Sequence, residues 1–406
     1  MLDKLKSNTR YIYFALISLS LFVLMLISET SLNRFDTDDF KVFYLAAKAL
    51  INGNEVYGVA FGLDTGFYKY SPFTLMLFTG YTLFSYKEAS IIHFAIVAIS
   101  GITSIFLMES IVDKYLFKIK KKNLLAFIFI FLGILIHLIR DLHMGNTNAI
   151  LVLLLVLALK LSLESRQIAA GILLALAILT KPYFIILMLP FLLAKKYKVF
   201  FSTAISGTVF TLSTGLILGF SESFTLHTQW IQEMLRHSVY LYSPYTIPYL
   251  LDYYLGFSAL GKIQFPFFGL MILGVSAYFW YQQKSDHSAE NMTKSNRTLI
   301  FFYFILIAII PSLLITDVEH FIFSMPLIAI LVYALKKKPN YYLIALMVIT
   351  ILIFGGNSSD LVGNELTLKI KFWGWVGIGN ILFIVGSFAA FNWLRKSESD
   401  KSIEAH

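Results

Sequence analysis

The sequence contains no cysteine, so neither a disulfide framework nor a thiolate metal site can form in this chain. Charged residues are also scarce: Asp, Glu, Lys and Arg make up 14% of the 406 residues, whereas 58% of the residues are hydrophobic. That much apolar surface exceeds what the core of one soluble domain could bury. The composition therefore indicates a polytopic membrane protein.

The net charge of +9 would suggest a nucleic-acid partner if the protein were soluble. Here, however, Lys and Arg cluster in short segments between apolar runs, which is typical of cytoplasmic loops. We therefore exclude nucleic acid as a partner. Lys4, Lys6 and Arg10 precede the apolar run at residues 11–28, which lacks a small-residue cleavage signal. We expect a retained first transmembrane helix with its N-terminus in the cytoplasm.

The apolar runs predict an all-α membrane protein of about twelve transmembrane helices with both termini cytoplasmic. No separate soluble domain is indicated, so we expect residues 1–406 to form a single integral membrane domain. Residues 72–86 are short and begin with Ser-Pro, and a crossing there would place the lysines at 114–122 outside, against the positive-inside tendency. We therefore expect a juxtamembrane or re-entrant segment at 72–86.

Lys181 interrupts the apolar stretch 168–194, which would be roughly 40 Å long as one helix. A single span would bury Lys181 near the bilayer centre at a cost of about 3 kcal/mol. Two short helices that meet at a corner of Lys181 and Pro182 avoid this cost. We expect this corner to be external or to line a cavity.

Two long external segments are predicted, at residues 29–71 and 221–262. In the first, apolar residues recur at helical spacing and indicate a helix over 39–51 that lies along the membrane interface. These residues are Phe40, Phe43, Tyr44, Ala47 and Leu50. The second segment contains H-T-Q-W-I-Q-E-M-L-R-H, whose amphipathic pattern also predicts an interfacial helix.

The polar residues that hydropathy does not explain gather on the outer face in this topology. They are Asp36, Asp38, Asp39, Lys69, Tyr70, Arg140, Asp141, His143, Asn146, Asn148, Lys181, Arg236, His237, Glu319 and His320. Several of them also have a purely structural interpretation. Asp38 could cap the helix that follows, Lys181 could extend to the interface, and Gly-Asn-Thr-Asn could be a turn that starts a helix at Asn146 or Thr147. No single residue is decisive.

Five motifs follow one another in a fixed order. They are D-F-K-V-F-Y-L-A-A-K-A-L-I-N-G-N-E-V-Y from Asp39, Y-K-Y-S-P-F from Tyr68, G-N-T-N-A-I from Gly145, T-K-P-Y from Thr180 and E-H-F-I-F-S-M-P from Glu319. This order resembles glycosyltransferase family 87 of the GT-C superfamily. Three positions depart from the family pattern: Ser71 replaces the first proline of a pair, Asn146 replaces a glutamine, and proline directly follows Lys181.

The resemblance implies a GT-C-type helical bundle and a membrane glycosyltransferase. It would move a sugar, with mannose expected, from a polyprenyl-phosphate donor to a lipid-linked or glycan acceptor. The active site would lie on the outer, periplasmic face of the cytoplasmic membrane. The resemblance also implies that Asp39, with Asp38 as the alternative, is the general base of an inverting displacement.

The leaving lipid phosphate would be bound by charge-assisted hydrogen bonds, without a metal or another cofactor. The expected phosphate ligands are Lys181, Arg140, His143 and His320. The expected substrate contacts are Tyr44, Tyr70, Asn146, Asn148, Glu319 and His237. A metal at Asp36-Thr37-Asp38 is the less favoured alternative.

Two other functions fit a polytopic chain. One is a transporter or flippase of a lipid-linked sugar, but the polar residues collect on one face, whereas alternating access needs a site near the midplane. The other is an enzyme of the O-antigen polymerase or ligase type, whose large external loop normally lies late in the chain. Here the notable external loop is the first one, at residues 29–71, and its early position favours the glycosyltransferase. Fold-level analogy does not fix the sugar or the acceptor.

Overall fold

A computed structural model describes residues 2–62, 66–119, 124–237, 243–261, 263–286, 292–314 and 317–403. Throughout these ranges the regular structure is helical, and the pairing of extended backbone is limited to an isolated bridge between Ala60 and Phe67. The predicted all-α fold class is confirmed. The lysines at 120–122, which the sequence analysis used for topology, lie outside the described residues.

In the described residues the α-helices, in chain order, are α1 (Leu2–Ser31), α2 (Asp38–Ile51), α3 (Pro72–Phe78), α4 (Tyr86–Ile111), α5 (Leu124–Met144), α6 (Asn148–Leu163), α7 (Gln167–Thr180), α8 (Met188–Leu193), α9 (Tyr197–Leu218), α10 (Phe220–His237), α11 (Ile247–Leu255), α12 (Gln264–Asp286), α13 (Met292–Ile309), α14 (Pro311–Leu314), α15 (Met325–Lys337), α16 (Tyr341–Gly355), α17 (Ser359–Val362), α18 (Asn364–Phe372) and α19 (Trp375–Ile403). Short 3₁₀ helices occupy Thr79–Leu83, Pro182–Leu187, Ser258–Gly261 and Val318–Ser324. A π-helical turn at Val112–Phe117 extends α4.

Seven helices in the described ranges are long and apolar enough to cross a membrane, and the protein is a multi-pass membrane protein. They are Tyr11–Ser31, Tyr86–Phe117, Leu124–Met144, Tyr197–Leu218, Ser295–Leu314, Val318–Lys337 and Trp375–Lys396. Shorter apolar helices occupy Asn148–Leu163, Gln167–Thr180, Pro182–Leu193 and Tyr341–Gly355. The total of about twelve crossings and the orientation of both termini stay predictions.

The chain forms two compact units. The first contains Met1–Ser104 and Leu138–Leu241, and the second contains Ile105–His137 and Tyr242–His406. In the second unit, α13 is buried on all sides from Leu299 to Ile309, and α15 is buried on all sides from Met325 to Ala334. A helix that is apolar all round is stable only when neighbours surround it. These two helices therefore form the centre of that unit.

The predicted helix at 39–51 exists as α2, and its apolar face is the buried one. Phe40, Phe43 and Tyr44 pack in a cluster with Tyr68, Tyr70 and other residues of the first unit. The helix begins at Asp38, so Thr37 occupies the N-cap position, in a left-handed conformation with φ 40°. The suggestion that Asp38 caps this helix was therefore wrong by one residue.

The segment 72–86 contains the short helix α3 and the 3₁₀ helix Thr79–Leu83. Its placement as a juxtamembrane or re-entrant segment stays a prediction. Ser71 is the N-cap of α3: its hydroxyl accepts a hydrogen bond from Thr74 N at 3.2 Å, and Pro72 follows at the first helical position. Serine at the N-cap and proline after it are favourable for starting a helix. This cap gives Ser71 a structural role at the position where a proline was expected.

The predicted break at Lys181 is confirmed. Helix α7 ends at Thr180, Lys181 is extended with φ −134° and ψ 100°, and Pro182 begins a 3₁₀ helix. Proline disfavours the helical conformation in the residue before it, which is why α7 ends here. The apolar stretch is therefore two short helices joined at Lys181.

The predicted helix in the second external segment is α10, and it exposes an apolar stripe. Phe220, Phe224, Ile231 and Leu235 are each more than half exposed and share one side of the helix, whereas Leu226 is buried on another. An exposed apolar stripe of this kind is typical of a helix that lies in a membrane interface. The fold thus leaves an apolar surface of the first unit available to lipid.

Candidate active site

The candidate site lies in the first unit, where the loop between α5 and α6 meets the start of α2. Gly145 in this loop has φ +65°, and an added Cβ would lie 2.7 Å from the Cβ of Phe40. A residue with a side chain would be strained by the backbone angle and would clash with α2. Glycine therefore allows the loop to approach the helix that carries Asp39.

Asn146 holds the carboxylate of Asp39. Its Nδ2 donates to Asp39 Oδ2 at 2.6 Å, and its Oδ1 accepts from Thr147 N at 2.7 Å. The Tyr70 hydroxyl lies 2.9 Å from Thr147 Oγ1 and 3.4 Å from Asn146 Oδ1. A carboxylate only accepts hydrogen bonds, so the amide orientation is fixed. Asn146 thus uses both ends of its amide within the protein to orient Asp39.

Asn148 bridges a buried carboxylate and a buried cation. Its Nδ2 donates to Asp141 Oδ1 at 2.8 Å, while Lys181 Nζ donates to its Oδ1 at 2.5 Å. Asp141 Oδ2 also accepts from Ala149 N at 2.9 Å, which satisfies a backbone donor at the start of α6. Only 7% of Lys181 is exposed, so it does not extend to solvent. Asp141 supplies negative charge that makes this burial tolerable.

Two lysines influence His237, the last residue of α10. Burial, followed by the charges of Lys69 and Lys181, lowers the pKa of His237 to about 4. His237 is therefore neutral near pH 7, and the two ammonium groups lie close enough to affect it. The backbone carbonyl of Lys69 accepts from Trp230 Nε1 at 3.0 Å, which ties the Lys69 segment to α10.

Some predicted residues of the first unit have other contacts. The Tyr44 hydroxyl donates to Phe84 O at 3.0 Å. His143 is 3.3 Å from Glu29 of α1, and 47% of its side chain is exposed. Asp38 and Arg140 are half-buried. Among the predicted residues, the hydrogen-bond network around Asn146 therefore contains Asp39 and Tyr70, and the network around Asn148 contains Lys181. The contacts of Tyr44 and His143 described above belong to neither network.

Glu319 and His320 lie in the second unit, in the 3₁₀ helix Val318–Ser324, and both are buried. Together with Asp317 they are the sole group of three His, Asp or Glu side chains, in the described part of the chain, that could hold a metal ion. Their ligand atoms lie within 4.8 Å of one another. The absence of a metal requirement stays a prediction.

Sequence reasoning placed Asp141 and Lys69 in the group of outer-face polar residues without giving them a role, and it did not name His93. Asp141 is fully buried beside Asn148, Lys69 acts on His237, and His93 contacts the loop that carries Asn146. A buried lysine requires a carboxylate nearby, so the prediction of Lys181 was a signal for Asp141. No periodic pattern points to Lys69 or His93.

The family model described as "Glycosyltransferase family 87" matches residues 67–308, more than half of the 406 residues. The chain belongs to glycosyltransferase family 87. This confirms the resemblance seen in the motifs and shows that the protein is a membrane glycosyltransferase. The match includes Lys69, Asn146, Asn148 and Lys181, whereas Asp39 precedes it.

A search of curated proteins found no match. Among solved structures, ArnT from Cupriavidus metallidurans bound to undecaprenyl phosphate is similar with a TM-score of 0.37 and 15% sequence identity. That similarity covers 92% of this chain and 76% of the ArnT chain.

Proposed function

We propose that this glycosyltransferase moves a sugar, with mannose expected, from a polyprenyl-phosphate donor to a hydroxyl of a lipid-linked or glycan acceptor. The reaction takes place at the outer face of the cytoplasmic membrane. The observation that supports this most is the loop at residues 145–148, which holds a carboxylate through Asn146 and an ammonium group through Asn148. Inverting sugar transfer from a phosphate needs one group of each kind.

In this proposal Asp39 is the general base. The acceptor oxygen attacks the anomeric carbon of the sugar while Asp39 takes the proton of the attacking hydroxyl. A new glycosidic C–O bond forms, and the bond between the anomeric carbon and the phosphate oxygen breaks. The electron pair of that bond leaves with the polyprenyl phosphate. The hydrogen bond from Asn146 orients the carboxylate for this role.

Lys181 stabilises the leaving phosphate. A buried ammonium group is effective here because charge-assisted hydrogen bonds are strong where water is excluded. Lys69 adds a second positive charge in this region. After burial, the charges of Lys69 and Lys181 both lower the pKa of His237. The roles of Arg140, His143, Glu319 and His320 in binding the donor stay predictions.

A lipid-linked donor suits a site built on membrane helices. Its polyprenyl chain stays in the bilayer, while its phosphate reaches the interface. Nucleotide sugars are made in the cytoplasm and are absent from the outer side. The apolar stripe of α10 and the cations near its end suit a substrate with an apolar tail and an anionic head.

The test is an assay of purified protein in proteoliposomes with polyprenyl-phosphate-mannose, and with the glucose and arabinose analogues, against a panel of glycolipid acceptors. We expect consumption of one donor with formation of a glycosylated acceptor. Asp39→Asn should lower the rate by about 10²–10⁴-fold, the usual contribution of a general base, while it still binds polyprenyl phosphate. Asp38→Asn is the matched control and should remain active.

The alternative outcomes are distinct. Full activity of Asp39→Asn with loss in Asp38→Asn would move the base by one residue, and activity in both would refute the mechanism. Movement of the donor across the bilayer without transfer of sugar would indicate a flippase instead.

A further inference from the structure

His93 is a buried histidine of α4 that contacts both sides of the candidate site. It is 1% exposed. Its Nε2 lies 3.0 Å from Gly145 O and 3.3 Å from Asn146 O, and its Nδ1 lies 3.1 Å from the Tyr81 hydroxyl. The ring also stacks on Phe40, the residue after Asp39, with centroids 4.5 Å apart and an angle of 18°.

These contacts fix the tautomer of His93. Two carbonyl oxygens at Nε2 can only accept, so this nitrogen must carry the proton. A neutral ring then has an acceptor at Nδ1, and the Tyr81 hydroxyl donates to it. Because Tyr81, the two carbonyls and Phe40 all constrain the ring, its position is well defined.

The ring is linked to the Asp39 carboxylate through Asn146. Its Nε2–H holds the backbone of Gly145 and Asn146, and the side chain of Asn146 donates to Asp39 Oδ2 at 2.6 Å. On its other side, the stacked Phe40 belongs to the first turn of α2, which carries Asp39. A shift of His93 would therefore change the distance between Asn146 and Asp39.

We propose that His93 is a positioning residue that sets the orientation of the Asp39 carboxylate through Asn146. This inference rests on the proposed role of Asp39 as general base. His93 acts through other residues, so its effect falls on the transition state more than on donor binding. Misplacing a catalytic group by about 1 Å can cost roughly 10²-fold in rate.

The first test compares His93→Ala with His93→Gln. Alanine removes the donor to the loop, so kcat should fall by about 10–100-fold while KM for the donor changes little. Glutamine can place its amide N–H near the position of Nε2 and should recover most of kcat. A role in folding alone would instead lower the thermal stability and the amount of folded protein, with kcat per folded molecule unchanged.

The second test asks whether His93 acts through Asn146. Residues that act through one another have non-additive effects. If His93 positions Asn146, the double variant His93→Ala with Asn146→Ala should be no slower than Asn146→Ala alone. Rate losses that multiply in the double variant would overturn the proposal.

His227→Ala is the control, since His227 also bonds a backbone carbonyl, that of Ser223 at 2.7 Å, within α10. It should keep the wild-type rate. Wild-type kcat in His93→Ala while Asp39→Asn is inactive would refute the role of His93 alone. Activity in Asp39→Asn would instead refute the proposed mechanism on which it rests.

Discussion

Lys181 Nζ donates to Asn148 Oδ1 at 2.5 Å, and Asn148 Nδ2 donates to Asp141 Oδ1 at 2.8 Å. A single amide thus joins an ammonium group and a carboxylate that are both buried. Asn148 begins α6, so the position of this amide is fixed by the helix. The geometry explains how a lysine can be buried at the corner between α7 and the 3₁₀ helix that follows.

We predict that Lys181→Gln impairs both stability and catalysis. Loss of a charge-assisted hydrogen bond of about 1.5–3 kcal/mol to the leaving phosphate would lower kcat/KM by roughly 10–100-fold. It would also leave Asp141 buried without this cation, which is destabilising. Steady-state kinetics and thermal unfolding in detergent measure the two effects.

A charge-neutral double variant separates these effects. Asp141→Asn with Lys181→Gln removes both charges, so thermal stability should recover relative to Lys181→Gln while activity stays low. Lys198→Gln, which removes an exposed lysine of α9, should match the wild type in both assays. Recovery of activity in the double variant would contradict a role of Lys181 in binding the phosphate.

Gly145→Ala should disrupt the candidate site. Its φ of +65° costs a side-chain-bearing residue about 1–2 kcal/mol, and its Cβ would lie 2.7 Å from that of Phe40. Gly53 is a matched control, because it has φ +67° with no atom within 4 Å of an added Cβ. Thermal unfolding should show a larger loss for Gly145→Ala than for Gly53→Ala, and sugar transfer should fall only in the former. Equal losses in stability would show that the close contact between residue 145 and α2 does not contribute to the stability of the protein.

Local chemistry explains why much of the fold could be predicted from the sequence. The spacing of apolar residues indicated α2, and a lysine followed by proline indicated the corner at 181–182. The exact cap was missed because Thr37 and Asp38 are both suitable N-cap residues, and the left-handed conformation of Thr37 is not visible in a pattern.

The site was harder to predict because its contacts join distant residues. The sequence did not indicate that the amides of Asn146 and Asn148 orient Asp39 and bridge Asp141 with Lys181. Their contacts with substrate stay a prediction. His93 reaches Gly145 across 52 positions in the sequence. Such pairings depend on helix packing, which composition and periodicity do not specify.

Chelation should leave activity unchanged, because the proposed leaving phosphate is stabilised by Lys181 without a metal. Protein treated with EDTA and then assayed in metal-free buffer should keep the untreated rate. Loss of activity that Mg²⁺ or Mn²⁺ restores would contradict this prediction. In that case Asp317→Ala should reproduce the loss, since Asp317, Glu319 and His320 could hold a metal ion.

The stability of the protein should depend on pH through His237. Its pKa is lowered to about 4 in the folded protein by burial and by Lys69 and Lys181, whereas an unfolded histidine titrates near 6.5. Between these values the unfolded chain binds more protons, so stability rises with pH in this window. The contribution is fully present above pH 6.5 and is lost as the pH falls toward about 4. His237→Gln cannot titrate, so its melting temperature should fall less than that of the wild type between pH 7 and pH 4.5. Parallel curves for the two proteins would show that burial and the two lysines do not hold His237 neutral.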